Sequence, residues 1–182
     1  MAGTIERSLL AIVLFGIALP HAGWAQRPAL QKITERIHID APPAKVWATI
    51  QDFHDMSWLP GVAKTTGAGS NEPVVAKRQL TLDSGATIDE SLDKYDRGAM
   101  SYSYRIDNVD VKVLPVTNYS STIAVLPAEG GKSTVDWRGA FYRGYPSNDP
   151  PPELNDEAAL QAVGKVYRAG LENLKKKAEA AK

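Results

Sequence analysis

Glu90 is the acidic residue whose position invites chemistry. It stands in phase with Ile88 and Leu92, so a strand that buries those two side chains carries the carboxylate inward with them. A carboxylate taken out of water either rises in pKa or finds a donor, and functional sites collect such groups. The residues leave two readings open: an acid facing a cavity, or an edge glutamate paired with an arginine or lysine. General acid–base work wants a second titrating group beside the first, and none is evident near Glu90. Beyond the first 25 residues the histidines are His38 and His54, and neither has a partner at metal-ligand spacing. His38 alternates outward on a strand and His54 sits in a turn between Asp52 and Asp55, so surface and capping roles suit both. There is no Gly-x-Ser-x-Gly elbow and no phosphate-loop spacing, and Gly67-Ala68-Gly69 lacks the third glycine and the helix a dinucleotide loop requires. No metal site, cofactor or catalytic residue is expected, and the chain reads as a non-enzyme.

The elements that would position Glu90 are legible from periodicity. Residues 153–182 place Leu160, Val163, Gly164, Tyr167, Gly170, Leu171, Leu174 and Ala178 at steps of three and four, which makes one helical stripe. Asn155 can cap that helix; Asp156 and Glu157 open it and Lys175 to Lys177 close it, in the sense that complements the helix dipole. Before it, Ile33, Ile37 and Ile39 alternate as one strand. Asp40 can cap a short helix carrying Val46, Trp47 and Ile50, and residues 52–60 read as a second short helix or turn. About six strands follow, from Val62 to Tyr142. The order implies an α+β domain: an antiparallel sheet with a long helix lying on one face.

Composition narrows the class. The chain has 182 residues, 43% of them hydrophobic and 23% charged, which suits a single domain with a real core. Basic and acidic residues balance at 21 each, so the formal net charge is zero and a nucleic-acid surface is not expected. Arg7, an apolar run from Leu9 to Leu19, the break at Pro20, and Gly23 and Ala25 have the layout of a secretory signal peptide. Cleavage is expected after Ala25, giving a signal peptide at 1–25, a domain at 26–182, a periplasmic location and no membrane span afterwards. With no cysteine in the chain, the exported domain must rely on packing rather than disulfides.

Several stretches then resemble a known superfamily. They are Ile39-Asp40-Ala41-Pro42-Pro43 leading to Val46-Trp47; Asp52-Phe53 followed by Trp58-Leu59-Pro60-Gly61-Val62; residues 87–96 with Tyr102 to Ile106; Leu114-Pro115 with Asn118-Tyr119; and Val135 to Phe141. Over residues 32–177 the chain resembles the START-like, Bet v 1-like (SRPBCC) superfamily, and within it the MxaD-like proteins of bacterial methanol oxidation. The resemblance implies a helix-grip fold: a seven-stranded antiparallel sheet wrapped around the C-terminal helix, two short helices after strand 1, and a cavity between sheet and helix. Trp58, Glu90, Tyr102, Tyr104, Tyr119, Trp137, Phe141 and Tyr167 would face that groove, as a ligand pocket or as plain core. The loops carrying Ser84 and Gly85, and Leu114 and Pro115, would flank its mouth. The MxaD-like resemblance also implies an accessory role beside a periplasmic alcohol dehydrogenase dependent on pyrroloquinoline quinone (PQQ), and its c-type cytochrome. The competing expectations are a carrier of a lipid or other hydrophobic small molecule and, behind it, a cyclase or hydrolase built on Glu90.

Overall fold

The computed structural model describes residues 28–180. The expected signal peptide and the junction at Gln26 lie outside the described residues. Strand β1 (Gln31–Ile39) leads into helix α1 (Pro43–Ile50), and β2 (Val62–Ala68), β3 (Lys77–Leu82), β4 (Thr87–Asp96), β5 (Ser101–Val109), β6 (Val116–Pro127) and β7 (Ser133–Arg143) follow as a meander. Helix α2 (Asp156–Ala180) completes the fold. The seven strands form one antiparallel sheet in the order β1-β7-β6-β5-β4-β3-β2, so the first strand returns to pair with the last. This is the helix-grip arrangement expected from the sequence. The helix of 25 residues spans about 37 Å at the standard rise, and it lies chiefly against β1, with β7 and α1 beside it.

The local causes are visible. Asn155 Oδ1 accepts the Ala158 N–H at 2.8 Å and starts α2. Val163, Gly164, Tyr167, Gly170, Leu171, Leu174 and Ala178 are buried and Leu160 is half-buried, so the sequence stripe is the face turned to the core. On β4, β5 and β6 alternate side chains enter the core: Ile88, Glu90 and Leu92; Tyr102 and Tyr104; Tyr119, Ser121, Ile123 and Val125. Register shifts in the β4–β5 and β6–β7 pairs bend the sheet around the helix. Asn118, with φ of 48°, sits in the β6 shift; asparagine tolerates that left-handed geometry, and Tyr119 beside it is buried.

Two expectations are corrected. Only one short helix follows β1. Residues 52–60 form successive turns because Asp52 Oδ1 takes the His54 N–H and Asp55 Oδ1 takes the Ser57 N–H, side-chain bonds that compete with a helical ladder. Asp40 does not cap α1 either. Pro42 occupies the cap position with no side-chain bond, Pro43 opens the helix, and Asp40 pairs with Lys132 at 2.8 Å.

Candidate functional site

A cavity of about 250 Å³ opens at one end of the groove between sheet and helix. Strands β3, β4 and β5 contribute Leu80, Leu82, Ile88 and Ile106 to its wall, and the connector after α1 with the first residue of β2 contributes Met56 and Leu59 to Val62. Val113, Leu114 and Val166 bring the β5–β6 loop and α2 to its rim. The polar groups on this apolar wall are few: the Glu90 carboxylate, the hydroxyl-bearing rings of Tyr104 and Tyr119, and the indole of Trp137. An apolar wall with a handful of convergent polar groups is the usual make-up of a small-molecule site.

Glu90 is 5% exposed and does not stand alone. In the β3–β4 register Arg78 lies directly across from it, and Arg78 Nε donates to Glu90 Oε2 at 2.5 Å. Arg78 Nη1 donates to the Phe53 carbonyl at 2.6 Å. Its guanidinium carbon lies 4.0 Å from the Phe53 ring centre and 5.1 Å from that of Tyr104, a cation packed between two aromatic faces. Nη2 reaches no acceptor with hydrogen-bond geometry, although the Tyr102 hydroxyl is close enough to feel the charge. Burial pushes the Glu90 carboxyl above its ordinary range, and Arg78 pulls it part of the way back. The paired reading of Glu90 is therefore right about the partner, while the position is a buried one beside a cavity and not the sheet edge.

A second polar group joins the cavity wall to the helix. The Tyr119 and Tyr167 hydroxyls are 2.6 Å apart, and Tyr167 is 2.8 Å from Ser121 Oγ. Ser121 Oγ also meets Trp137 Nε1 at 2.9 Å and the Arg138 carbonyl at 2.8 Å. Tyr167 lies flat on Trp137, with centroids 4.1 Å apart at 7°, a stack worth about 0.5–1.5 kcal/mol beyond its area. Burial pushes the hydroxyls of Tyr102, Tyr104, Tyr119 and Tyr167 up, so these groups stay neutral at ordinary pH.

Of the side chains expected to face the groove, Glu90, Tyr104, Tyr119 and Trp137 line the cavity. Trp58, Tyr102, Phe141 and Tyr167 pack behind its wall: Trp58 against Trp137, Tyr102 against Trp47 and Phe53, Phe141 stacked on Tyr119 and Tyr167 on Trp137. Ring-on-ring packing fills that half of the groove. At the mouth Leu114 reaches the cavity, while Ser84, Gly85 and Pro115 are absent from its wall. Arg78 and Ser121 escaped the sequence reading. Their signal was phase, Arg78 with Leu80 and Leu82, and Ser121 with Tyr119 and Ile123.

Elsewhere, His54 Nε2 lies 3.0 Å from the Ala68 carbonyl and 3.1 Å from that of Lys77, tying the connector to β2 and β3. His38 is exposed and meets Thr134 Oγ1 at 2.9 Å. Among the described residues, no helix is long and apolar enough to cross a membrane.

Comparison with known proteins assigns the chain. Residues 31–179 match the family described as polyketide cyclase / dehydrase and lipid transport. The chain belongs to that family. A search of curated proteins finds no match. Among solved structures, this member of the family is similar to the protein XoxI from Bacillus cereus, at 30% identity and a TM-score of 0.68, covering 80% of this chain and 94% of that one. A protein from Nitrosospira multiformis is 24% identical with a TM-score of 0.65, covering 82% and 97%. Norcoclaurine synthase from Thalictrum flavum, solved with dopamine and hydroxybenzaldehyde, is 16% identical with a TM-score of 0.62 over 97% and 99%, a likeness of fold alone.

Proposed function

We propose that this member of the family binds a compact, mostly apolar small molecule in the cavity between Glu90 and Leu114, without transforming it. The observation that carries this reading is an apolar pocket of about 250 Å³ with Glu90, Tyr104 and Tyr119 on its wall. The volume sets the ligand's scale. A dry cavity of about 150 Å³ holds one benzene ring, so this one suits one or two fused rings or a short branched chain. A two-chain lipid is too large for it. The non-catalytic part of the proposal rests on Arg78, which engages one oxygen of Glu90 in a buried ion pair and draws its pKa back from where burial alone would push it. Titrating the chain with one- and two-ring compounds by calorimetry tests the reading. Saturable one-to-one binding supports it, and no heat from any compound up to millimolar concentration overturns it. Turnover that Glu90→Gln abolishes in a folded protein would instead establish the cyclase or hydrolase reading.

A second reading concerns the setting. Two stretches that carry the MxaD-like resemblance, Leu59 to Val62 and Leu114, both line the cavity. That placement favours a periplasmic accessory in which ligand occupancy and protein contact share one rim, serving a PQQ-dependent alcohol dehydrogenase and its cytochrome c. Gentle isolation from the periplasm tests it: co-purification with a large dehydrogenase or a haem protein supports the role, and a chain that always isolates alone counts against it.

A further inference from the structure

The buried hydroxyl network on the cavity wall has one allowed arrangement of protons. Trp137 Nε1 only donates, and it donates to Ser121 Oγ at 2.9 Å. The Arg138 carbonyl only accepts, and it takes the single Ser121 proton at 2.8 Å. Ser121 therefore has no proton left for Tyr167, so across their 2.8 Å contact Tyr167 is the donor. Tyr167 then has none for Tyr119, and across 2.6 Å Tyr119 must donate to Tyr167. Ser121 ends with one bond donated and two accepted, its full complement. Every proton in the chain points away from the cavity. Tyr119, whose hydroxyl ends the chain on the cavity wall, keeps only oxygen lone pairs for whatever lies beyond it. Tyr104 stands next along the same wall, with its ring 6.2 Å from that of Tyr119.

We propose that the cavity selects compact ring compounds bearing a hydroxyl or N–H donor over isosteres that bear a carbonyl or no polar group. The inference rests on the ligand-binding reading above and adds a sign to it: the Trp137–Ser121–Tyr167–Tyr119 relay turns the wall into an acceptor. At Tyr119 a ligand with only a carbonyl meets an oxygen and gains nothing, whereas a donor completes the chain.

The test is a calorimetric comparison of three bicyclic probes of similar size: indole, a donor; indene, with no polar group; and 1-indanone, an acceptor. One neutral hydrogen bond predicts indole binding about fivefold more tightly than indene, with 1-indanone no tighter than indene. Tyr119→Phe brings the indole and indene affinities together. Ser121→Ala frees the Tyr167 proton, lets the relay reverse, and raises 1-indanone relative to indole. Should Ser121→Ala fail to fold, the Tyr119→Phe comparison still decides the matter. Equal affinities for indole and indene in the unmodified protein, or tighter binding of 1-indanone, overturn the proposal and leave ligand binding standing. Failure of all three probes to bind overturns the ligand-binding reading itself.

Discussion

Arg78 and Glu90 face each other across β3 and β4, 2.5 Å apart between Nε and Oε2, and both are sealed from solvent. Two charges in such a place are stabilising only together. Removing one partner leaves the other buried and uncompensated, which costs about 3–5 kcal/mol. Glu90→Gln and Arg78→Met should each fall in that range by urea denaturation. The double variant should lose much less than the sum, because no isolated charge remains. Additive losses would mean that the two side chains do not act as a pair.

The tyrosines give a prediction in pH. Burial holds Tyr102, Tyr104, Tyr119 and Tyr167 above the ordinary tyrosine range in the folded chain. An unfolded tyrosine ionises near pH 10. The folded pKa is the higher one, so the unfolded state sheds protons first, and the stabilising contribution is complete below about pH 10 and lost as pH rises beyond it. Phenolate absorbance followed with circular dichroism should show these four rings ionising only as the fold is lost. Smooth ionisation of all the tyrosines in a chain that stays folded would contradict the burial.

What could be read in advance follows from what each element depends on. The α2 stripe and the alternation of Ile33, Ile37 and Ile39 are local patterns, and both elements form where periodicity placed them. Glu90 could be placed on the inner face because Ile88 and Leu92 flank it in phase. Arg78 was hidden: Lys77-Arg78-Gln79 reads as a polar surface run, and only the β3–β4 register brings residue 78 opposite residue 90. Ser121 was hidden for a related reason, since a small hydroxyl acquires its role only when β7 and α2 deliver Trp137 and Tyr167 to it. Which aromatics line space and which fill it depends on ring-on-ring packing at distances set by the whole sheet. That choice has no local signature.

Gly139 tests how tightly the relay is held. A Cβ added there would lie 2.5 Å from the Tyr167 hydroxyl, an atom fixed by Ser121 and Tyr119 and unable to swing aside. Gly139→Ala should therefore cost about 1–3 kcal/mol, as overpacking does. It should also erase the preference for indole over indene, because a displaced Tyr167 no longer takes the Tyr119 proton. A variant with normal stability and normal selectivity would show that the relay tolerates movement and does not set the polarity of the wall.

The cavity can be tested by filling it. Ile88 and Ile106 both line its wall, on strands β4 and β5. Enlarging a side chain in a close-packed core forces strain and costs about 1–3 kcal/mol. Enlarging one that borders empty space adds contacts instead and commonly stabilises by about 0.5–2 kcal/mol. Ile106→Phe and Ile88→Phe should therefore keep or raise the urea midpoint while weakening indole and indene alike by tenfold or more. The selectivity variants behave differently, since Tyr119→Phe changes the ratio of the two affinities. Loss of stability in both filling variants with binding intact would place the ligand elsewhere and assign these residues to the core. Raised stability with binding abolished would fix the site between β4, β5 and the Leu114 rim.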